Sequence, residues 1–416
     1  MSSHVVVIGA GIVGTCCALW FRRQGFRVTL IDRNEPGSGC SAGNAGMFQT
    51  GSVTPLATPG ILRRVPRMLL DRNGPLVVRW KHLPVLVPWL WRLVRNASPA
   101  RVDAIADALA SLLRGAKDAY RPLVVGAGAQ SLIRDQGELY VFRSERAYAA
   151  VAQKHLLYHR HGIEVVELDA AALREREPAL SPEYRRGYYL PDSSYTTDPR
   201  ALTLALAADF ARHGGEVLRA NADTIAVDDG GVRIAISGAT LACNRLVIAA
   251  GAYSKSLAAQ VGVDVPLESL RGYHLDLPDR GVQLNGPLID GEMNFGVIPM
   301  AGKVRLAGTI EFAGLEAAPT WQRADMLLPL AQAMLPCLAS HGADAVRWMG
   351  HRPGLPDSLP VIGPVPNRPN VWFAFGHGQL GLTLAAVTGR VVAEALAGQT
   401  TTVDLSPFQV DRFALA

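Results

Sequence analysis

The stretch HVVVIGAGIVGTCCALWFRRQGFRVTLID, residues 4–32, decides how this 416-residue chain folds. Residues 4–9 are a β-branched run that suits a buried parallel strand. Residues 12–24 carry helical apolar spacing and stop at Gly25. A second buried strand follows at 27–32. Gly9, Gly11 and Gly14 stand in G-x-G-x-x-G spacing between the first strand and the helix. In that pattern Gly9 makes the tight turn, Gly11 lets backbone approach a pyrophosphate, and Gly14 lets helix and strand pack closely. Ile12 and Val13 open the helix, whose N-terminal dipole favours phosphate. Asp32 ends the second strand, 18 residues after Gly14. A carboxylate there hydrogen-bonds a ribose 2′-OH and argues against a 2′-phosphate. Arg33 follows as a candidate adenosine contact. The pattern calls for a dinucleotide and leaves FAD and NAD open.

The chain is too long for a single hydrophobic core, so two domains are expected. Hydrophobic residues make up 49% of it, which excludes general disorder. A net charge of +5 with no lysine tract suits an anionic cofactor or substrate and speaks against nucleic acid. The five cysteines lack CxxC spacing and read as reduced thiols. No metal-ligand spacing appears among the ten histidines. A strand starting at once leaves no room for a secretory signal, and no apolar run is long enough to span a membrane.

Further along, the glycine-rich GSGCSAGNAG at 37–46 reads as a loop. Residues 55–135 read as helical and irregular, and 145–161 as one helix. Within them, 76–95 mixes Trp80, Trp89 and Trp91 with Arg79, Lys81, Arg92 and Arg95, as interfacial segments do. Asp198 and Pro199 start a helix as N-cap and first residue. Residues 216–250 alternate as strands, with a hairpin turn at 228–231. Strand–glycine–helix pieces recur at 245–262 and 371–398. The stretch 348–364 is rich in Pro and Gly and reads as a loop carrying Arg352. The expected class is α/β with two domains: a Rossmann domain, discontinuous over 1–55, part of 140–265 and 345–416, and an interleaved antiparallel-sheet substrate domain over 56–139 and part of 266–344.

Four stretches carry a family likeness: VVVIGAGIVG, SAGNAGM at 41–47, LVIAAGAYSKSL at 246–257, and GHRPGLPDSLPVIGP with FGHGQLGLTLAAVTG. With these the chain resembles the FAD-dependent D-amino-acid oxidase superfamily, and within it the bacterial D-amino-acid dehydrogenases. The resemblance implies a glutathione-reductase-like FAD domain and non-covalent FAD. It places Ser41, Ala42, Gly43, Asn44, Ala45 and Gly46 on the flavin, with Gly251 nearby. Gly376, Gly378, Leu380, Gly381 and Thr383 would approach the pyrimidine side of the ring.

The resemblance also implies the chemistry. Arg352 would grip the substrate carboxylate, because a planar guanidinium binds it through two hydrogen bonds. Tyr273 would help, and Gln49 would line the pocket beside Thr50. Arg271, His274 and Tyr195 are weaker candidates, and His351 is expected to be structural. The Cα hydride would pass to flavin N5, giving an imine that water hydrolyses to a 2-oxo acid and ammonia. Electrons would go to a quinone or another non-O2 acceptor. A secondary-amine or imino-acid enzyme, such as D-hydroxyproline dehydrogenase or glycine/sarcosine oxidase, is the alternative. Apolar character around Gln49, Met293 and Phe295 points to a small apolar or cyclic substrate. The expected location is the cytoplasm, with peripheral contact of 76–95 at the inner face of the membrane.

Overall fold

The computed structural model describes residues 3–59, 74, 76–228 and 231–414. The hairpin turn at 229–230 and residues 60–73 of the irregular stretch lie outside them. The dinucleotide pattern opens a six-stranded sheet. Its order is Glu216–Arg219, Arg27–Asp32, His4–Ile8, Arg245–Ile248, Arg368–Phe375 and Val361–Val365. The first five are mutually parallel, and the last is an antiparallel edge. Alternation along His4–Ile8 explains the unbroken apolar run. Val5 and Val7 enter one core, with the helices Ile12–Arg23 and Gly381–Leu396. Val6 and Ile8 enter another, under the three-stranded meander 222–243. A strand covered on both faces has no polar side to show.

A second, nine-stranded sheet forms a wall beside the first. Along it run Val346–Gly354, Glu268–Pro278, Lys303–Phe312, Phe295–Met300, Leu288–Asp290, Glu138–Phe142, Arg186–Leu190 and Val166–Asp169, with Leu76–Val78 pairing Lys303–Phe312. It is largely antiparallel, with a parallel pairing between Leu288–Asp290 and Glu138–Phe142.

Several sequence expectations change here. Arg352 stands on a strand, not in a loop: Val346–Gly354 pairs along Glu268–Asp276. This is an edge strand, where Pro353 costs no ladder bond on its open side. The part of 140–265 that lies outside the Rossmann sheet includes the strands Glu138–Phe142, Val166–Asp169 and Arg186–Leu190, which belong to the nine-stranded sheet. The helices Pro99–Arg114 and Ala116–Gly126, expected in the substrate domain, share a core with Gly381–Leu396. There the Tyr120 hydroxyl donates to the Leu382 carbonyl at 2.6 Å. The helix foreseen over 145–161 is two, Glu145–Ala149 and Ala152–Arg160.

Leu83–Arg95 is an amphipathic helix. Leu86, Trp89 and Leu93 are buried, and Trp89 meets Phe312 at 5.4 Å between ring centres. Val85, Val87 and Trp91 on the same helix and Trp80 before it are more than half exposed. Among the described residues no helix is long and apolar enough to cross a membrane.

Candidate active site

A cavity of about 1420 Å³ runs between the two sheets. That exceeds the roughly 300–1,000 Å³ of sites for a drug-sized ligand, so it has room for a dinucleotide together with a small substrate.

The Rossmann end is built from its turn. Gly9 has φ +109°, and a Cβ there would overlap the Ala249 carbonyl. Helix Ile12–Arg23 begins after Gly11, which has no side chain to cap it. Ser41 Oγ takes that place and accepts from the Ile12 N–H at 2.9 Å. The rest of the first turn faces the cavity as an anion site. Asp32 Oδ2 accepts from the Ala10 N–H at 2.8 Å and Oδ1 from the Asn34 N–H at 2.9 Å, so the acid also braces the turn. The Arg33 guanidinium lies 4.1 Å from the centre of the Tyr253 ring.

The loop after Cys40 braces itself. Asn44 Nδ2 donates to the Ser41 carbonyl at 2.8 Å, and its Oδ1 accepts from the Gly46 N–H at 2.6 Å. Arg305, absent from the sequence expectations, fastens this loop to the second sheet. Its Nη1 donates to the carbonyls of Ala42 and Asn44 at 3.3 and 2.6 Å. Its other nitrogens grip Asp276 at 2.7 and 2.9 Å. The cation and the hydrogen bonds from Arg305 and His274 hold the Asp276 carboxyl far below its usual range, against burial. His274 Nδ1 pairs with the Gly43 carbonyl at 2.9 Å, and its ring stacks on Trp348 at 4.8 Å.

Arg352 reaches the cavity from its strand. The guanidinium lies flat on Gly272, where any Cβ would overlap its carbon and both terminal nitrogens. Nη1 donates to the Thr309 carbonyl at 3.3 Å. Thr309 sits at φ +59° where the strand slips register against Arg271 and Tyr273. Cys40 lines the cavity too, its thiol pushed up by burial and drawn down by Arg352.

Of the expected cofactor residues, Gly9, Gly11, Ile12, Val13, Asp32, Arg33, Ser41, Gly43, Asn44, Ala45, Gly251, Gly378 and Gly381 line the cavity. Gly14, Ala42, Gly46, Gly376, Leu380 and Thr383 support it from behind. Thr383 Oγ1, for example, accepts from the Gln49 N–H at 3.0 Å. Gln49 lines the cavity, and its Nε2 donates to Glu138 at 3.2 Å and to the Tyr140 hydroxyl at 3.4 Å.

Tyr273 does not line the cavity and is a correction. Strand alternation turns it to the far face of the sheet, where its hydroxyl donates to Glu311 and accepts from the Thr320 N–H. Arg271 is spent on the far side, on the carbonyls of Gly314 and Ala318. Tyr195 lies in a short strand and donates to Gln136 at 3.1 Å. Thr50 Oγ1 donates to the Asp192 carbonyl. His351 pairs with Ser269 at 2.8 Å, although it also borders the cavity. Met293 is partly exposed and outside the lining, whereas Phe295 is in it. His377, a lining residue, is buried and pairs with Thr388 at 2.9 Å; burial brings it down to about 3, so it stays neutral.

Comparison with known proteins agrees with this geometry. The profile of the FAD dependent oxidoreductase family matches residues 4–395. A D-amino-acid oxidase of Bradyrhizobium diazoefficiens is 40% identical over 99% of both chains. A D-amino acid dehydrogenase of the same organism is 30% identical over 99% of both. The crystal structure of glycine oxidase from Geobacillus kaustophilus superposes with a TM-score of 0.76, covering 99% of both chains at 22% identity. The turn, the helix N-terminus and the acid at Asp32 fit FAD, and FAD is the cofactor.

Proposed function

Because the chain belongs to the family of FAD dependent oxidoreductases, we propose that it deaminates a D-amino acid oxidatively and passes the electrons to a quinone or another non-O2 acceptor. Arg352 is the observation that carries the reading. It is a guanidinium laid flat on Gly272 inside the cavity, with one nitrogen on the Thr309 carbonyl. The free edge of its fork suits a substrate carboxylate. Bound FAD supplies a two-electron acceptor for the Cα hydride. Arg352 fixes the carboxylate, which orients Cα–H. Gln49 and Phe295 border the same space, and the neutral His377 adds no charge to it. The imine that leaves is hydrolysed by water to the 2-oxo acid and ammonia.

The D configuration is supported by the names of the two relatives. A membrane-held acceptor is supported by the exposed face of Trp80, Val85, Val87 and Trp91 with Lys81 and Arg95 beside it. O2 as acceptor is the second reading, favoured by the name of the 40% identical relative. The test is an anaerobic panel. D-amino acids should bleach the yellow protein with release of one ammonia per 2-oxo acid, and their L-enantiomers should not. Bleaching by L-enantiomers alone, or by none, refutes the proposal. O2 uptake without added dye at the dye-coupled rate would replace the quinone by O2.

A further inference from the structure

Six charged side chains of Asp, Glu, Lys and Arg line the cavity among the described residues: Asp32, Arg33, Glu35, Asp223, Lys154 and Arg352. The first four surround the ribose end of the Rossmann sheet. The substrate side is left with two cations and no acid. Arg352 has been described. Lys154 comes from helix Ala152–Arg160 and enters beside Tyr140 and Gln49.

Lys154 sits in an aromatic box. Its Nζ is 4.6 Å from the centre of the Tyr140 ring, 5.3 Å from Tyr158 and 5.8 Å from Tyr188. Tyr140 and Tyr188 stack at 4.6 Å, which fixes two of the walls. The ammonium donates to the Tyr188 hydroxyl at 3.2 Å. An ammonium has three donors, so two remain for the cavity. Glu138 balances the charge from outside the lining, held by Gln49. Burial brings Lys154 down to about 8, partly offset by Glu138, and it remains a cation at neutral pH.

Resting on the proposed amino-acid oxidation, we propose that Lys154 binds a second carboxylate, so that the preferred substrate is an amino acid whose side chain ends in an anion. Arg352 stands on the edge strand, but its head bonds Thr309 two strands in, and Tyr140 lies three strands beyond that one in the same sheet. At about 4.8 Å per strand that leaves about 14 Å, which an extended diacid with a hydrogen bond at each end fills. Longer diacids are therefore expected to exceed D-aspartate.

The test compares kcat/KM for D-2-aminoadipate and D-norleucine, which match in length and differ in terminal charge. Both hands of each are assayed with a dye acceptor. The diacid is expected to be better by about tenfold or more, the worth of a charged hydrogen bond. Lys154→Met brings the ratio towards one, while Lys154→Arg, which keeps the charge, retains the preference. Equal use of the two compounds by the parent protein overturns this inference alone. So does a Lys154→Met variant that keeps the ratio while losing FAD, which would place Lys154 on the cofactor. Turnover of neither compound, nor of alanine, in either hand overturns the amino-acid reading itself.

Discussion

Gly272→Ala puts the carboxylate clamp to the sharpest test, because it touches neither the guanidinium chemistry nor the dinucleotide end. An added Cβ overlaps the Arg352 head. Ordinary contact begins near 3.4 Å, so the head must move by about 1 Å, and a displacement of that size costs about 100-fold when it misplaces reacting atoms. In energy this is about 2.7 kcal/mol, within the range of a charged hydrogen bond. The strand itself should survive, because Glu268–Asp276 is held by ladders on both sides. The assay is stopped-flow reduction under nitrogen with a D-amino acid that reduces the parent protein, read together with the FAD absorbance ratio. Loss should appear in substrate affinity and in the limiting rate, with FAD content as in the parent. An apparent affinity and limiting rate both within twofold of the parent would refute the placement of Arg352 over the substrate.

Other expectations follow from the same geometry. Arg305→Met removes a buried ion pair with Asp276 and two bonds to the 41–46 loop, a loss of about 2 kcal/mol because Lys303 still pairs Asp276 at 2.7 Å; titration of the apoprotein with FAD should show binding weakened tenfold or more, and unchanged binding would contradict it. His377 lies at about 3 in the folded chain against 6.5 ordinarily. Stability from this group is therefore complete above pH 6.5 and falls as pH drops, because the unfolded chain takes up a proton that the folded one does not. At pH 5 the loss is about 2 kcal/mol, and urea unfolding of His377→Gln should show a smaller fall between pH 7 and pH 5 than the parent. Trp80→Ser with Trp91→Ser should reduce co-sedimentation with anionic liposomes; equal sedimentation of parent and variant would place that face elsewhere.

The Rossmann half was legible because its signals are local. A glycine turn, a helix and an acid within residues 4–32 fix strand, turn and phosphate site together. The substrate half was not, because its contacts join residues far apart. Arg305 meets the 41–46 loop some 260 positions away, and Glu138 meets Gln49 across 89. Nothing near Arg305 in the sequence announces either bond. Tyr273 illustrates the period-two hazard: one step along a strand changes the face. Gly272 meets Arg352 while its neighbour meets Glu311. Arg352 lines the cavity from a strand and not from the expected loop, because Pro and Gly on an edge strand look like a loop. Lys154 escaped notice because its polar helix carries no motif.

The order of strands in the parallel sheet has a consequence for synthesis. Arg245–Ile248 lies between His4–Ile8 and Arg368–Phe375. As the chain leaves the ribosome, one edge of this strand finds its partner already made, and the other stays bare. The matching residue of Leu246 is Val371, so 125 residues (371 − 246) must still be translated. An uncovered apolar edge is a template for pairing with other nascent chains. Shortened chains that stop before Val371 should accumulate as inclusion bodies, and chaperone demand should peak over that interval of translation.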